Sequence, residues 1–207
     1  MTFKGDFQLS LGFIIAVVFA IVLLSLALTW LRGVFENVLG LTDDLTQEAH
    51  STLRESFRTT STDFAIWPSQ YEVNPGKGLK MSAGIENDAT DGLDHTFVIN
   101  VIPVGVSDNI CAGGGLNCPV PGGAGTLATS LRTWLTFDQT PGLIKINAVG
   151  FRFIEVRPAN NAPKGTYIFN IVACYDKPAA VPASASCTPT HPNLWGGSAQ
   201  QLIISVK

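Results

Sequence analysis

The residues best placed to do chemistry in this chain of 207 residues are four cysteines, three histidines and a short acidic run. Cys111 and Cys118 bracket Ala-Gly-Gly-Gly-Leu-Asn, and Cys187 lies across a Pro/Ala/Ser loop from Cys174. The simplest pairing is Cys111–Cys118 with Cys174–Cys187, each bond closing a loop. Four cysteines nevertheless allow three connectivities, and sequence does not choose among them. A metal site would need tighter pairs or histidine partners, and His50, His95 and His191 are not spaced to supply them. Local disulfides are the preferred reading, which places this part of the chain in an oxidising space outside the cell.

Other constellations are weaker. Glu86, Asp88, Asp91 and Asp94 could wrap Ca²⁺ with carboxylate and carbonyl oxygens, but they match no EF-hand spacing and read better as a solvated turn. Gly113–Gly115 and Gly122–Gly123 lack the Gly-Lys-Ser/Thr of a phosphate cradle, and no Gly-x-Ser-x-Gly elbow occurs. No catalytic residue, metal or cofactor is therefore expected, and the chain reads as a non-enzyme. Trp195, in Asn-Leu-Trp-Gly-Gly, is a contact point or a loop anchor. A net charge of -3 leaves no basic face for nucleic acid.

The elements that must position these residues divide into two kinds. Phe7 to Leu31 carries no charge, and as a helix its 25 residues would reach about 37 Å, enough for a hydrocarbon core of roughly 30 Å. Phe13, Val17, Ile21, Leu24, Leu28, Leu31, Phe35 and Val38 are the candidate residues for membrane contact or polymerisation. Beyond Leu31 the apolar residues thin to a stripe, Leu41, Leu45, Ala49, Leu53 and Phe57, with the spacing of one helical face. Gly40 and the Thr42-Asp43-Asp44 cap predict a kink near residues 40–42. The stripe packs either on the protein's own head or on copies of itself.

Helical periodicity ends at Arg58, and from residue 59 to residue 207 short stretches alternate as strands do. The fold class predicted is α+β: a long N-terminal hydrophobic helix over 6–58, then an all-β, immunoglobulin-like sandwich head over 59–207. Residues 63–207 hold only nine Lys/Arg and ten Asp/Glu, so the surface must be largely neutral. Such a surface suits close packing with copies of itself, or a harsh external pH.

A short N-terminus ending Lys4-Gly5, a long apolar helix, an amphipathic stalk and a β-rich head together resemble the archaeal type IV pilin and archaellin family. Gln8-Leu9-Ser10-Leu11-Gly12-Phe13 resembles the Gln-x-Ser-x-Glu stretch of some archaeal pilin-like precursors, with Gly12 in the place of the acid. Glu155-Val156-Arg157-Pro158 through Lys164-Gly165-Thr166-Tyr167-Ile168-Phe169 looks like a strand–turn–strand of immunoglobulin-like domains on prokaryotic surface proteins. The resemblance implies a leader over 1–5, removed between Gly5 and Asp6 by a prepilin peptidase. It also implies assembly with copies of itself into a helical extracellular filament, used for motility or adhesion, after a membrane-bound stage. The alternative is a single-pass surface protein that never polymerises and presents its head outside the cell, as archaellum stator proteins do.

Overall fold

The computed structural model describes residues 11–60, 62–119 and 125–207, with residues 11–14, 26, 28–46 and 60 described by backbone alone. Lys4, Gly5 and Asp6, the predicted leader cleavage site, lie outside the described residues. Helix α1 runs Leu11–Thr60. The chain divides into two units, Met1–Thr46 and Gln47–Lys207.

In the first unit Val17, Ile21 and Leu24 sit on α1 with exposed side chains, as do Ile15, Val18, Phe19, Val22 and Leu23. The side chains of Phe13, Leu28, Leu31, Phe35 and Val38 are outside the described set. Among the described residues no helix is long and apolar enough to cross a membrane. This corrects the expectations of a transmembrane helix and of a filament-core helix, because both need a longer continuous apolar cylinder.

The second unit is built by alternation. In β8, Gly165–Tyr175, the side chains of Tyr167, Phe169, Ile171 and Ala173 fall on one face and are fully buried. Two open sheets result. One has the order β1-β3-β7-β5, from Phe64–Trp67, Leu79–Glu86, Val149–Val156 and Leu135–Phe137. The other has the order β2-β9-β8-β4-β6, from Gln70–Val73, Gln200–Val206, β8, His95–Val106 and Gly142–Ile144. Strand β2 runs parallel to β9, and the register of β4 on β8 shifts between Pro103 and Gly105, an irregularity that increases local twist. The main core lies between the sheets, with Phe64, Met81, Ile85 and Ile154 from the first and Phe97, Ile99, Tyr167, Phe169 and Leu202 from the second.

Both outer faces are covered in part, Phe153 on the first sheet and Leu143 on the second staying exposed. The last turns of α1, from Gln47, bury Ala49, Leu53 and Phe57 at i, i+4 spacing. They lie on the outer face of the first sheet, where a Cβ added at Gly84 would stand 2.9 Å from the Phe57 ring and 3.5 Å from Leu53 Cβ. The outer face of the second sheet, at Val98, Val172 and Cys174, is covered by the segment that carries Val181, Cys187 and Leu194. A further helix, α2, spans Leu127–Arg132 and buries Leu127 and Leu131. The expectation of a long hydrophobic helix followed by an all-β immunoglobulin-like sandwich is thus corrected to a mixed α+β fold, because helical turns form a layer of the globular unit itself.

Tyr167 shows how closely this core is specified. Its ring is fully buried and meets Trp134 edge-on at 4.8 Å, and its hydroxyl donates to the Pro163 carbonyl at 2.8 Å. Burial pushes its phenol up to about 12. Tyr167→Phe is expected to lower unfolding free energy by about 1 kcal/mol, seen as a lower urea midpoint at unchanged slope.

Candidate functional site

The described residues with the most chemical character gather at one end of the two sheets. There a cleft is lined by Asp63, Asp88, Ala89, Thr90, Asp91, Tyr175, Lys177 and Trp195. The loop 87–94 between β3 and β4 forms one wall. Its base is fixed by Asn87, a fully buried side chain that donates to the carbonyls of Leu93 (3.1 Å) and Ile144 (2.9 Å). The other wall is the turn after β8 and the strand-like stretch that ends at Trp195. Asn193 holds it in the same way, donating to the carbonyls of Tyr175 at 2.9 Å and Ala179 at 3.0 Å. The Trp195 indole N–H is shared between the Asp63 and Glu86 carbonyls at 3.2 and 3.1 Å, and its ring meets Tyr175 and Phe97 edge-on. Trp195 is therefore a loop anchor as well as a cleft wall.

His95, the first residue of β4, is 3% exposed and lies beside the cleft between two carboxylates. Nδ1 is 2.6 Å from Asp176 Oδ1, and Nε2 is 3.1 Å from both oxygens of Asp91. Asp176 Oδ2 accepts from the Thr96 amide at 3.1 Å, and Asp91 accepts from the Leu93 amide at 3.0 Å and pairs with Lys177. Burial opposes a charge on His95 and is the largest single effect, but the hydrogen bonds and charges of Asp176 and Asp91 together outweigh it and raise its pKa above 6.5. Lys177 first, then the Leu93 amide and His95, hold Asp91 well below the usual carboxylate range. Asp63 is raised, by burial first and then by the charge and hydrogen bond of Asp88, with Glu86 contributing.

The sequence-predicted residues are dispersed around this geometry. Of the acidic run, Asp91 is committed to His95 and Lys177, Asp88 faces Asp63, and Asp94 accepts from the Ile146 amide at 2.9 Å. Glu86 ends β3 and contributes its carbonyl to Trp195. Among the described residues, no group of three or more His, Cys, Asp or Glu side chains could hold a metal ion. Cys111 is bonded to Cys118 and Cys174 to Cys187, each pair with Cα atoms 5.9 Å apart. His50 stacks on Phe151 at 3.8 Å, and burial, followed by Arg54, lowers its pKa. His191 Nδ1 accepts from the Asn193 amide at 3.1 Å. Sequence reasoning missed Asn87, Asn193, Asp176 and Lys177. Their partners are carbonyls and side chains far along the chain, and only the Asn beside each loop's turn residues gave a local signal.

No family model matches the chain, and no curated protein matches it. Among solved structures it is similar to PapD-like domain 7 of human CEP192, at 13% identity and TM-score 0.34, covering 70% of this chain and 84% of that one. It is also similar to a family 123 glycoside hydrolase from Clostridium perfringens (9%, TM-score 0.40), covering 67% of this chain and 23% of that one. A third is SSP-19, an MSP-domain-like protein of Caenorhabditis elegans (10%, TM-score 0.36), covering 69% and 98%. Likenesses this slight carry no argument about function. The resemblance to archaeal type IV pilins and archaellins does not hold for this chain. Among the described residues no helix is long and apolar enough to cross a membrane, which a membrane-to-filament subunit or a single-pass anchor requires.

Proposed function

We propose that Gln47–Lys207 is a non-catalytic recognition domain that works in an oxidising space outside the cytoplasm, with the cleft end as its working face. The observation that carries this reading is the Cys174–Cys187 bond. Both cysteines are fully buried, and together they fasten the segment after β8 over the second sheet, so the folded surface depends on a bond that persists only where thiols are oxidised. The chemistry of the cleft agrees with binding rather than bond making. The imidazole, the usual general base, has both nitrogens spent on carboxylates and has no lone pair left for a substrate. Lys177 is paired with Asp91.

The test is a thiol count on protein taken from its native source, denatured and alkylated without prior reduction. The expected result is no alkylated cysteine among the four. Alkylation of all four would overturn the reading.

A further inference from the structure

We infer that His95 is a doubly protonated clasp which locks the 87–94 loop against the turn after β8 in mild acid and releases it as pH rises. The cleft would thereby be placed under pH control.

The geometry makes the case through a donor count. A neutral imidazole has one N–H and one lone pair. His95 places each ring nitrogen within hydrogen-bond distance of a carboxylate, Nδ1 on Asp176 and Nε2 on Asp91, and an ionised carboxylate can only accept. With a neutral ring, one contact would set lone pair against lone pair at about 3 Å. With an imidazolium, both contacts become charge-assisted hydrogen bonds. The proton goes to the ring rather than to a carboxylate, because an imidazolium is ordinarily a much weaker acid than a carboxyl group. Asp176 accepts the Thr96 amide, and Asp91 accepts the Leu93 amide and faces Lys177.

The remaining neighbours are consistent with a charged ring. Tyr175 and Phe97 lie nearly perpendicular to it at 5.5 and 6.4 Å, and β6 opposes it with Ile144; none of the three brings a charge. Asp94, on the same loop, is turned to the Ile146 amide. Asp63 and Asp88 stand across the cleft and repel each other when both are ionised. The clasp therefore joins three separate parts of the chain: the loop through Asp91, β4 through His95 and the post-β8 turn through Asp176.

The sign follows from linkage. The pKa of His95 is raised on folding, so its contribution is complete below 6.5 and is lost as pH rises from 6.5 through the folded value. Asp91 is lowered, so its contribution is present above 3.8 and fails only in stronger acid. The raised Asp63 acts in the same sense as His95, because protonating it removes first a partly buried charge and then repulsion from Asp88. The cleft end is thus tightest in mild acid.

The experiment is an NMR titration of the full chain, with ¹⁵N signals of the His95 ring and hydrogen exchange of the Leu93 and Thr96 amides, corrected for intrinsic exchange. At pH 6 both ring nitrogens are expected to be protonated, with a midpoint above 6.5. Protection of the two amides should fall about tenfold for each unit by which that midpoint exceeds 6.5. In His95→Gln that pH dependence should vanish, while amides of β3 and β7 are unaffected. A neutral single-tautomer ring at pH 6, or amide protection unchanged across the midpoint, would overturn the inference. The ring titration decides alone if His95→Gln does not fold.

Discussion

Leu53→Ala is expected to destabilise the globular unit by about 2–5 kcal/mol, the range for deleting a fully buried leucine whose surroundings cannot collapse into the gap. Leu53 is 2% exposed and stands one turn from both Ala49 and Phe57 on the helix face that covers the first sheet. The sheet beneath is shaped to receive it. Gly84 lacks a side chain where Phe57 and Leu53 press closest, so the helix and β3 can approach without a Cβ between them. Gly84→Ala should therefore cost about 1–3 kcal/mol by overpacking. In a Phe57→Ala background, where the ring is gone, the same change should cost much less. A coupling between the two sites of at least about 1 kcal/mol, read from urea midpoints, would locate the helix on the sheet. Additive effects would show that the last turns of α1 do not pack there in solution.

How much of this was legible in the sequence varies element by element, with a common physical reason. The alternation of Tyr167, Phe169, Ile171 and Ala173 marks a strand and its buried face, because the period of two is a local property. That Val172 and Cys174 on the opposite face are also fully buried was not legible, since the segment that covers them has no periodicity and is held by a bond whose partners spacing alone did not choose. The stripe Ala49, Leu53 and Phe57 marks a sticky helical face but not the surface it meets, because the gap at Gly84 that receives it lies on a strand distant in sequence. Composition misled over Phe7–Leu31, where a run of apolar residues was equated with a span and a filament core. His95 looked solitary because Asp176 is 81 residues away, and the clasp exists only once β4 and β8 pair. Local pattern carries strands and helix faces, while sites built from the ends of distant strands need the register.

Replacing Cys174 and Cys187 together by alanine is expected to cost about 3 kcal/mol from the closed loop alone, for a separation of 13 residues. The corresponding figure for Cys111 and Cys118, separated by 7, is about 2.5 kcal/mol. Loop length thus hardly separates the two bonds, and burial does. Both ends of the 174–187 bond are fully buried, and the segment it holds covers Val98 and Val172. Two further attachments lie on the same segment: Ser184 donates its hydroxyl to the Ile99 carbonyl at 2.6 Å, and the Asn100 side chain donates to the Cys187 carbonyl at 2.9 Å. Without the bond the stretch around Cys187 depends on these hydrogen bonds, and its release would leave Val98 and Val172 in water. The double alanine variant should therefore bind a hydrophobic dye and show proteolysis within residues 176–199 at denaturant concentrations where the rest of the unit stays protected. Removal of the 111–118 pair should lower the global midpoint without either sign, because Cys118 is only partly buried in its loop. Equal and purely global losses from the two variants would mean that the segment over the second sheet is not an independently releasable layer.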